Sequence, residues 1–250
     1  DPFIDYSDNP YAVFPFRYRA TDGNPRWSGY YDALEDIDFG LIHEMAHQLG
    51  MIDLYQMDIP PDGNLVSGLG YQAPDGLMRG VSHFLSQFHA LAMDREWLHE
   101  AHGYYGQFMY NLPQTLQLRL FGVDGQPLDG ATVTAYQYCE RPGMGKVITD
   151  QVKFQGTTDP DGRLTLPNVP IDPGLVPPVG TGDELHDNPF GYVAVVGTNG
   201  VLHFRVEYEG AVDYAWLDIT EANVAYWQGQ TETAVFDRQL ALGAPLQTVP

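Results

Sequence analysis

Two histidines four residues apart, His43 and His47, enclose Glu44 in the run His43-Glu44-Met45-Ala46-His47. On a helix that spacing puts both imidazoles on one face, one turn apart. Two neutral imidazoles so placed can bind one zinc ion. Glu44 stands beside the first of them, where its carboxylate reaches a water at the metal and not the metal itself. A general base belongs there, because zinc acidifies the water and the carboxylate takes the proton. Gly50, three residues after His47, lets the chain leave the helix sharply. Asp53, three further on, can then swing back as a third ligand. Two histidines and one carboxylate leave a coordination position open for water, as a catalytic zinc site requires.

Other residues compete for roles in the same chemistry. His83, His89, His99 and His102 lie near a second helical pattern, as do Glu96 and Glu100. Either glutamate is an alternative third ligand supplied from a later helix. Tyr71 is a candidate to polarise a substrate carbonyl or stabilise its oxyanion; the alternative is an ordinary exposed loop tyrosine. The loop Asp58–Asn64 and the turn Asp159–Asp161 cluster oxygen ligands, which makes Ca²⁺ a second candidate cation. Neither matches the twelve-residue calcium-loop spacing, and plain turn chemistry is the favoured reading of both. The sequence has no phosphate-cradling glycine loop and no serine-hydrolase elbow.

The elements that must hold these residues fall into two regions, 1–112 and 113–250, which together predict an α+β chain. In the first, Tyr11–Tyr18 reads as a strand confined to an edge by Pro15. Asp36–Leu49 reads as a helix, with Phe39, Ile42, Ala46 and Leu49 at helical spacing, Asp36 or Asp38 as its cap and Gly50 just past its end. A loop rich in Pro, Asp and Gly spans Met57–Gly80, and a second helix is expected over Ser82–His99. In the second region, strands are expected at Thr115–Phe121, Ala131–Tyr138, Arg163–Leu166, Tyr192–Val196, Val201–Tyr208 and Ala215–Ile219. Asp124-Gly125 and Asp161-Gly162 mark turns, and Pro167–Pro189 reads as an irregular loop. Short strands with regular turn signals predict an antiparallel sandwich.

The wording HEMAHQLGMIDLY, His43 to Tyr55, resembles the metzincin clan of zinc endopeptidases, and most closely the secreted bacterial metalloproteases related to immune inhibitor A. The resemblance implies His43, His47 and Asp53 as zinc ligands and Glu44 as the catalytic base. Asp53 stands where the clan's extended motif has a third histidine. The resemblance also implies a methionine turn beneath the metal, matched by Gly76-Leu77-Met78-Arg79-Gly80, with Met78 as a polarizable floor. Only 42 residues precede His43, so the N-terminal sheet of such a domain is expected to be truncated, to lie in upstream sequence, or to come from another chain. The second region resembles transthyretin-like and carboxypeptidase-regulatory-like β-sandwiches, through Val123-Asp124-Gly125-Gln126-Pro127-Leu128-Asp129-Gly130-Ala131-Thr132-Val133 and Thr158-Asp159-Pro160-Asp161-Gly162-Arg163-Leu164. That resemblance implies an accessory role.

Composition narrows the partners. Acidic residues number 33 against 12 basic ones, a formal net charge of −21. Such a surface repels nucleic acid and anionic lipid, and no apolar run is long enough to span a bilayer. Cys139 is the single cysteine, so no disulfide forms within the chain. The sequence reads as a fragment or processed form, without a visible signal peptide, and does not set an oligomeric state. Two functions follow. The first is a secreted zinc-dependent endopeptidase acting on protein or peptide substrates. The second is an extracellular binding or adhesion module whose zinc site is vestigial or structural.

Overall fold

The computed structural model of the chain describes residues 39–47, 49, 51–80, 84–98, 107–141, 145–171, 186–191, 193 and 199–243, with the backbone alone at 41, 95–98, 107, 108, 140 and 141. It is a mixed α and β structure. Three helices come first: α1 (Phe39–His47), α2 (Leu77–Gly80) and α3 (Gln87–Leu98). The strands follow: β1 (Thr115–Phe121), β2 (Thr132–Arg141), β3 (Gly145–Ile148), β4 (Phe154–Thr157), β5 (Arg163–Thr165), β6 (Val201–Tyr208) and β7 (Ala211–Asp218). Helix α4 (Ile219–Trp227) then leads into β8 (Thr233–Gln239).

Helix α1 forms within the expected span, but of the expected stripe Phe39, Ile42, Ala46 and Leu49 only Ala46 is fully in the core. Ala46 is buried, while Ile42 and Met45 face outward. The Leu49 and Met51 amides both donate to the Ala46 carbonyl, at 2.9 and 3.3 Å. The second is the 6→1 bond that commonly closes a helix. The chain then turns inward, burying Met51, Ile52, Leu54 and Met57 completely. Leu54 and Met57 are the ends of a 3₁₀ turn, Leu54–Met57, whose i, i+3 spacing puts both on its inner side.

The loop expected over Met57–Gly80 contains more structure than its composition suggests. It has a 3₁₀ turn at Pro61–Gly63, an antiparallel bridge between Ile59 and Tyr71, and the helical turn α2 at its end. Helix α3 starts at Gln87, later than the expected Ser82. Ser86 caps it, its Oγ accepting the His89 amide at 3.3 Å.

The strands form two sheets, one ordered β5-β1-β8 and the other β3-β2-β6-β7 with β4 also on β2. Along β1, Leu116, Leu118 and Leu120 point inward and are fully buried, alternating with Thr115, Gln117 and Arg119. Most pairs are antiparallel, as the turn signals predict. The exception corrects that expectation: β1 and β8 are parallel, in register from Thr115↔Thr233 to Phe121↔Gln239. Helix α4 lies between β7 and β8 and turns the chain so that β8 runs in the direction of β1. Helix α4 and strands β3, β4 and β8 are additions to the sequence-based expectation.

A capping box starts α4. The Asp218 carboxylate accepts the Thr220 and Glu221 amides at 2.7 and 3.1 Å, while Glu221 accepts the Asp218 amide at 3.4 Å. The expected strand Tyr11–Tyr18, most of Tyr192–Val196, much of Pro167–Pro189, and Asp36, Asp38 and Gly50 lie outside the described residues.

One hydrophobic cluster runs from Ala46 through the strands to Leu242, so both regions contribute to the same core. Several contacts cross from one region to the other. Trp227 Nε1 donates to Asn111 Oδ1 at 3.0 Å, the Phe88 and Trp227 rings lie 5.7 Å apart, and Ser67 Oγ is 2.9 Å from His203 Nε2. Among the described residues no helix is long and apolar enough to cross a membrane.

Candidate metal centre

The end of α1 and the inward turn after it bring three side chains together. His43 and His47 present edge-to-face rings with centroids 5.0 Å apart. Asp53 precedes the 3₁₀ turn in an extended conformation, φ −73° and ψ 105°. Because Ile52 and Leu54 on either side are buried, the main chain at Asp53 is anchored on both sides. Asp53 Oδ1 lies 3.0 Å from His43 Nε2 and 3.3 Å from His47 Nε2. These separations match the edge of a tetrahedron, about 3.3 Å for metal–ligand bonds of about 2.0–2.1 Å. Among the described residues this is the single group of three or more His, Cys, Asp or Glu side chains that can hold a metal ion.

The far side of each imidazole decides what the near side can do. His43 Nδ1 is 2.8 Å from the Leu77 carbonyl, and His47 Nδ1 is 2.7 Å from the Met51 carbonyl. A carbonyl oxygen only accepts, so both Nδ1 atoms carry the proton. In the neutral rings both Nε2 lone pairs then face one carboxylate oxygen. That arrangement needs either a proton on an imidazole or a cation between the three atoms. Hydrogen bonding of Nδ1 to a backbone carbonyl is also the usual way a protein orients a metal-binding histidine. The residues therefore fit a metal ion.

The electrostatics agree. The hydrogen bond to Asp53 raises the His43 pKa above its ordinary value. For His47, burial is the largest influence and lowers the pKa, but the bond to Asp53, the bond to the Met51 carbonyl and the Asp53 charge together outweigh it, and the net direction is upward. For Asp53, burial favours the neutral acid, yet hydrogen bonds from His43, His47 and Tyr55 hold it far below the usual carboxylate range. The group is an ionised carboxylate facing two basic nitrogens.

Glu44 follows His43 on α1, half-buried, and its charge acts on the His43 ring. Met78 is fully buried in α2, next to the Leu77 whose carbonyl holds His43. Tyr71 is directed elsewhere: its hydroxyl donates to Asp218, and its ring packs 5.1 Å from Trp216. Burial and the Asp218 charge raise its pKa well above the usual phenol range. His83, His99, His102 and Glu100 lie outside the described residues, as does the side chain of Glu96. In the loop Asp58–Asn64, both Asp58 oxygens accept from Arg79 at 3.1 Å. Asn64 spends its amide on Ser67 and Leu69.

Two residues that support the site carry little signal in the sequence. The Tyr55 hydroxyl donates to Asp53 Oδ2 at 2.7 Å and leaves Oδ1 to the histidines. The readable hint is its place two residues after the ligand, within a turn. His89 is fully buried behind the site. Its Nε2 lies 3.4 Å from the Ile52 carbonyl and its Nδ1 2.9 Å from Ser86 Oγ. Burial pushes its pKa down to about 4, so it is a neutral support for the residue before Asp53.

No protein-family model matches the chain, and no curated protein does. Some solved structures share part of its shape. One is the dioxygenase domain of a dioxygenase–carbohydrate-binding protein fusion from Streptomyces sp. SirexAA-E, 16% identical, covering 53% of this chain and 81% of that one at a TM-score of 0.28. Sea bream transthyretin in complex with thyroxine is 14% identical, covering 41% and 72% at 0.21. An (S)-allantoin synthase is 10% identical, covering 85% and 71% at 0.29.

Proposed function

We propose that the chain is a zinc-dependent endopeptidase of the metzincin kind, secreted, acting on protein or peptide substrates and followed by a transthyretin-like sandwich. One observation carries this reading. His43 and His47, each held through Nδ1 by a backbone carbonyl, turn Nε2 to within 3.0 and 3.3 Å of Asp53 Oδ1, and the Glu44 charge acts on the His43 ring. Three protein ligands are the donor set of catalytic zinc, whereas structural sites use four. When bound, the ion supplies Lewis acidity to a substrate carbonyl.

Glu44 does the proton work. Its carboxylate takes a proton from the water as the water oxygen bonds to the peptide carbonyl carbon. The same carboxyl then gives that proton to the amide nitrogen as the C–N bond breaks, releasing an amine and a carboxylic acid, and the acid's proton passes to the amine to leave carboxylate and ammonium. His43 and His47 keep their Nδ1 protons on Leu77 and Met51 throughout. Tyr55 holds Asp53 in orientation.

The test is zinc content together with hydrolysis of an unstructured protein, with and without chelator. Glu44→Gln is expected to retain zinc and to lose roughly 10²–10⁴-fold in turnover. Undiminished turnover in that variant sinks the mechanism. Zinc binding without any hydrolysis by the unmodified chain favours the adhesion-module reading.

A further inference from the structure

We propose that Lys146, on β3, is a positioning residue for the Asp53 ligand, so that the strand region forms part of the metal centre. This rests on the metal-binding reading of the His43–His47–Asp53 group and is independent of which reaction occurs there.

The connection runs through Gln56. The Gln56 amide donates to the Asp53 carbonyl at 3.2 Å and closes the turn that Asp53 begins. Three bonds from the strand region then converge on Gln56. Lys146 Nζ donates to its backbone carbonyl at 2.8 Å and to its Oε1 at 2.7 Å. The Tyr138 hydroxyl, from β2, donates to the same carbonyl at 3.1 Å. One ammonium thus grips both the main chain and the side chain of the residue that ends Asp53's own hydrogen bond.

The grip is tightened on both sides. Immediately downstream, the Leu65 amide donates to the Ile148 carbonyl at 2.9 Å, and Asn64 bridges Ile148 in parallel. Gly63 passes so close to β3 that an added Cβ would lie 2.8 Å from the Lys146 carbonyl oxygen. Leu54 and Met57 fix the inner side of the turn. With the turn held at Gln56 and the following chain held at 63–65, the main chain at Asp53 has little room to move away from the histidines. A ligand kept in place before the ion arrives binds it more tightly, because ordering is not deferred to the binding step.

The experiment measures metal binding. Lys146→Met keeps most of the aliphatic stem and removes all three donors; Lys146→Arg keeps the charge and N–H donors. Zinc affinity is read by competition with a chromophoric chelator, and the visible absorption of the Co²⁺-loaded protein reports site geometry. Far-UV circular dichroism and melting of the metal-free protein check folding.

Lys146→Met is expected to lose about tenfold in zinc affinity, in the range found for residues that support metal ligands, and to alter the Co²⁺ spectrum. Lys146→Arg, which keeps the charge and donors on a wider planar head, should lose less zinc affinity than Lys146→Met. A folded Lys146→Met with unchanged zinc affinity and an unchanged Co²⁺ spectrum overturns the proposal, whatever its melting temperature. If Lys146→Met does not fold, Tyr138→Phe decides: a loss of zinc affinity beyond about threefold supports the positioning role, and no loss overturns it. An unmodified chain that binds neither ion overturns the metal centre and this inference together. Zinc binding with the expected Lys146 effect but no proteolysis overturns only the peptidase reading.

Discussion

At the residue scale, the Asp53 carboxylate divides its work. Oδ1 faces the two histidines, and Oδ2 takes the Tyr55 hydroxyl. Tyr55→Phe removes that bond and frees the carboxylate to rotate. The expected result is a loss of zinc affinity of about tenfold or less, since Tyr55 is largely exposed and water can take its place. Equilibrium dialysis against zinc checks this; an affinity equal to that of the unmodified chain refutes the role given to Tyr55.

A second residue-scale expectation concerns acid. His203 is fully buried, stacked 3.9 Å from Trp216 and 5.2 Å from Tyr214, and burial pushes its pKa down to about 4 from 6.5. Between those values the unfolded chain binds more protons than the folded one. The stability contribution is therefore complete above pH 6.5, falls as the pH drops, and has no further to fall below about pH 4. The loss from this ring is about 3 kcal/mol at most. Urea unfolding of His203→Phe should show a shallower decline over that window. An identical slope would refute the assignment.

Elements were legible to very different degrees. The ends of β1 and β6 follow from alternation and turn residues alone, because each strand has one face or both in the core. Helix α1 was readable because its apolar spacing and its histidine spacing agree. Helix α4 also had a readable start, since Asp218-Ile219-Thr220-Glu221 is a capping-box pattern. It was hidden by the apolar residues of β7, which run straight into the helix without a turn between them. The parallel pairing of β1 with β8 had no local signal, because the partners lie 118 residues apart.

The same stretch yields an element-scale expectation. Asp218 caps α4 and also accepts the Tyr71 hydroxyl. Asp218→Ala should cost about 2 kcal/mol, a lost cap plus a phenol left without its acceptor. Denaturant unfolding that shows less than about 0.5 kcal/mol of change would show the cap to be dispensable.

For the whole molecule, the continuous core matters more than the division at residue 112 that composition suggests. Met51, Ile52 and Met57 share a cluster with Leu116, Phe204 and Leu217, and Gln56 is held from β2 and β3. The division looked natural in the sequence because helical and alternating patterns change there. The contacts that cross it are side chains reaching between distant segments, which no periodicity records. Expressed alone, residues 1–112 should give neither a cooperative melt nor tight zinc binding; a sharp transition from that fragment would contradict the shared core. The net charge of −21 also acts on the whole molecule. Screening this self-repulsion should raise the melting temperature between about 0.05 and 0.5 M NaCl, as the Debye length shrinks.

The pairing of β1 with β8 also sets a clock on synthesis. At about 5–20 residues per second, a ribosome releases β8 roughly 6–24 s after β1, given their separation of 118 residues. During that interval the leucine-rich strand Thr115–Phe121 has one edge without its final neighbour. An uncovered strand edge is where nascent chains pair with one another. Yield in a fast, crowded expression host should therefore depend on that wait more than on the stability of the finished fold. Slowing initiation, so that fewer unfinished chains meet, is expected to give more soluble protein.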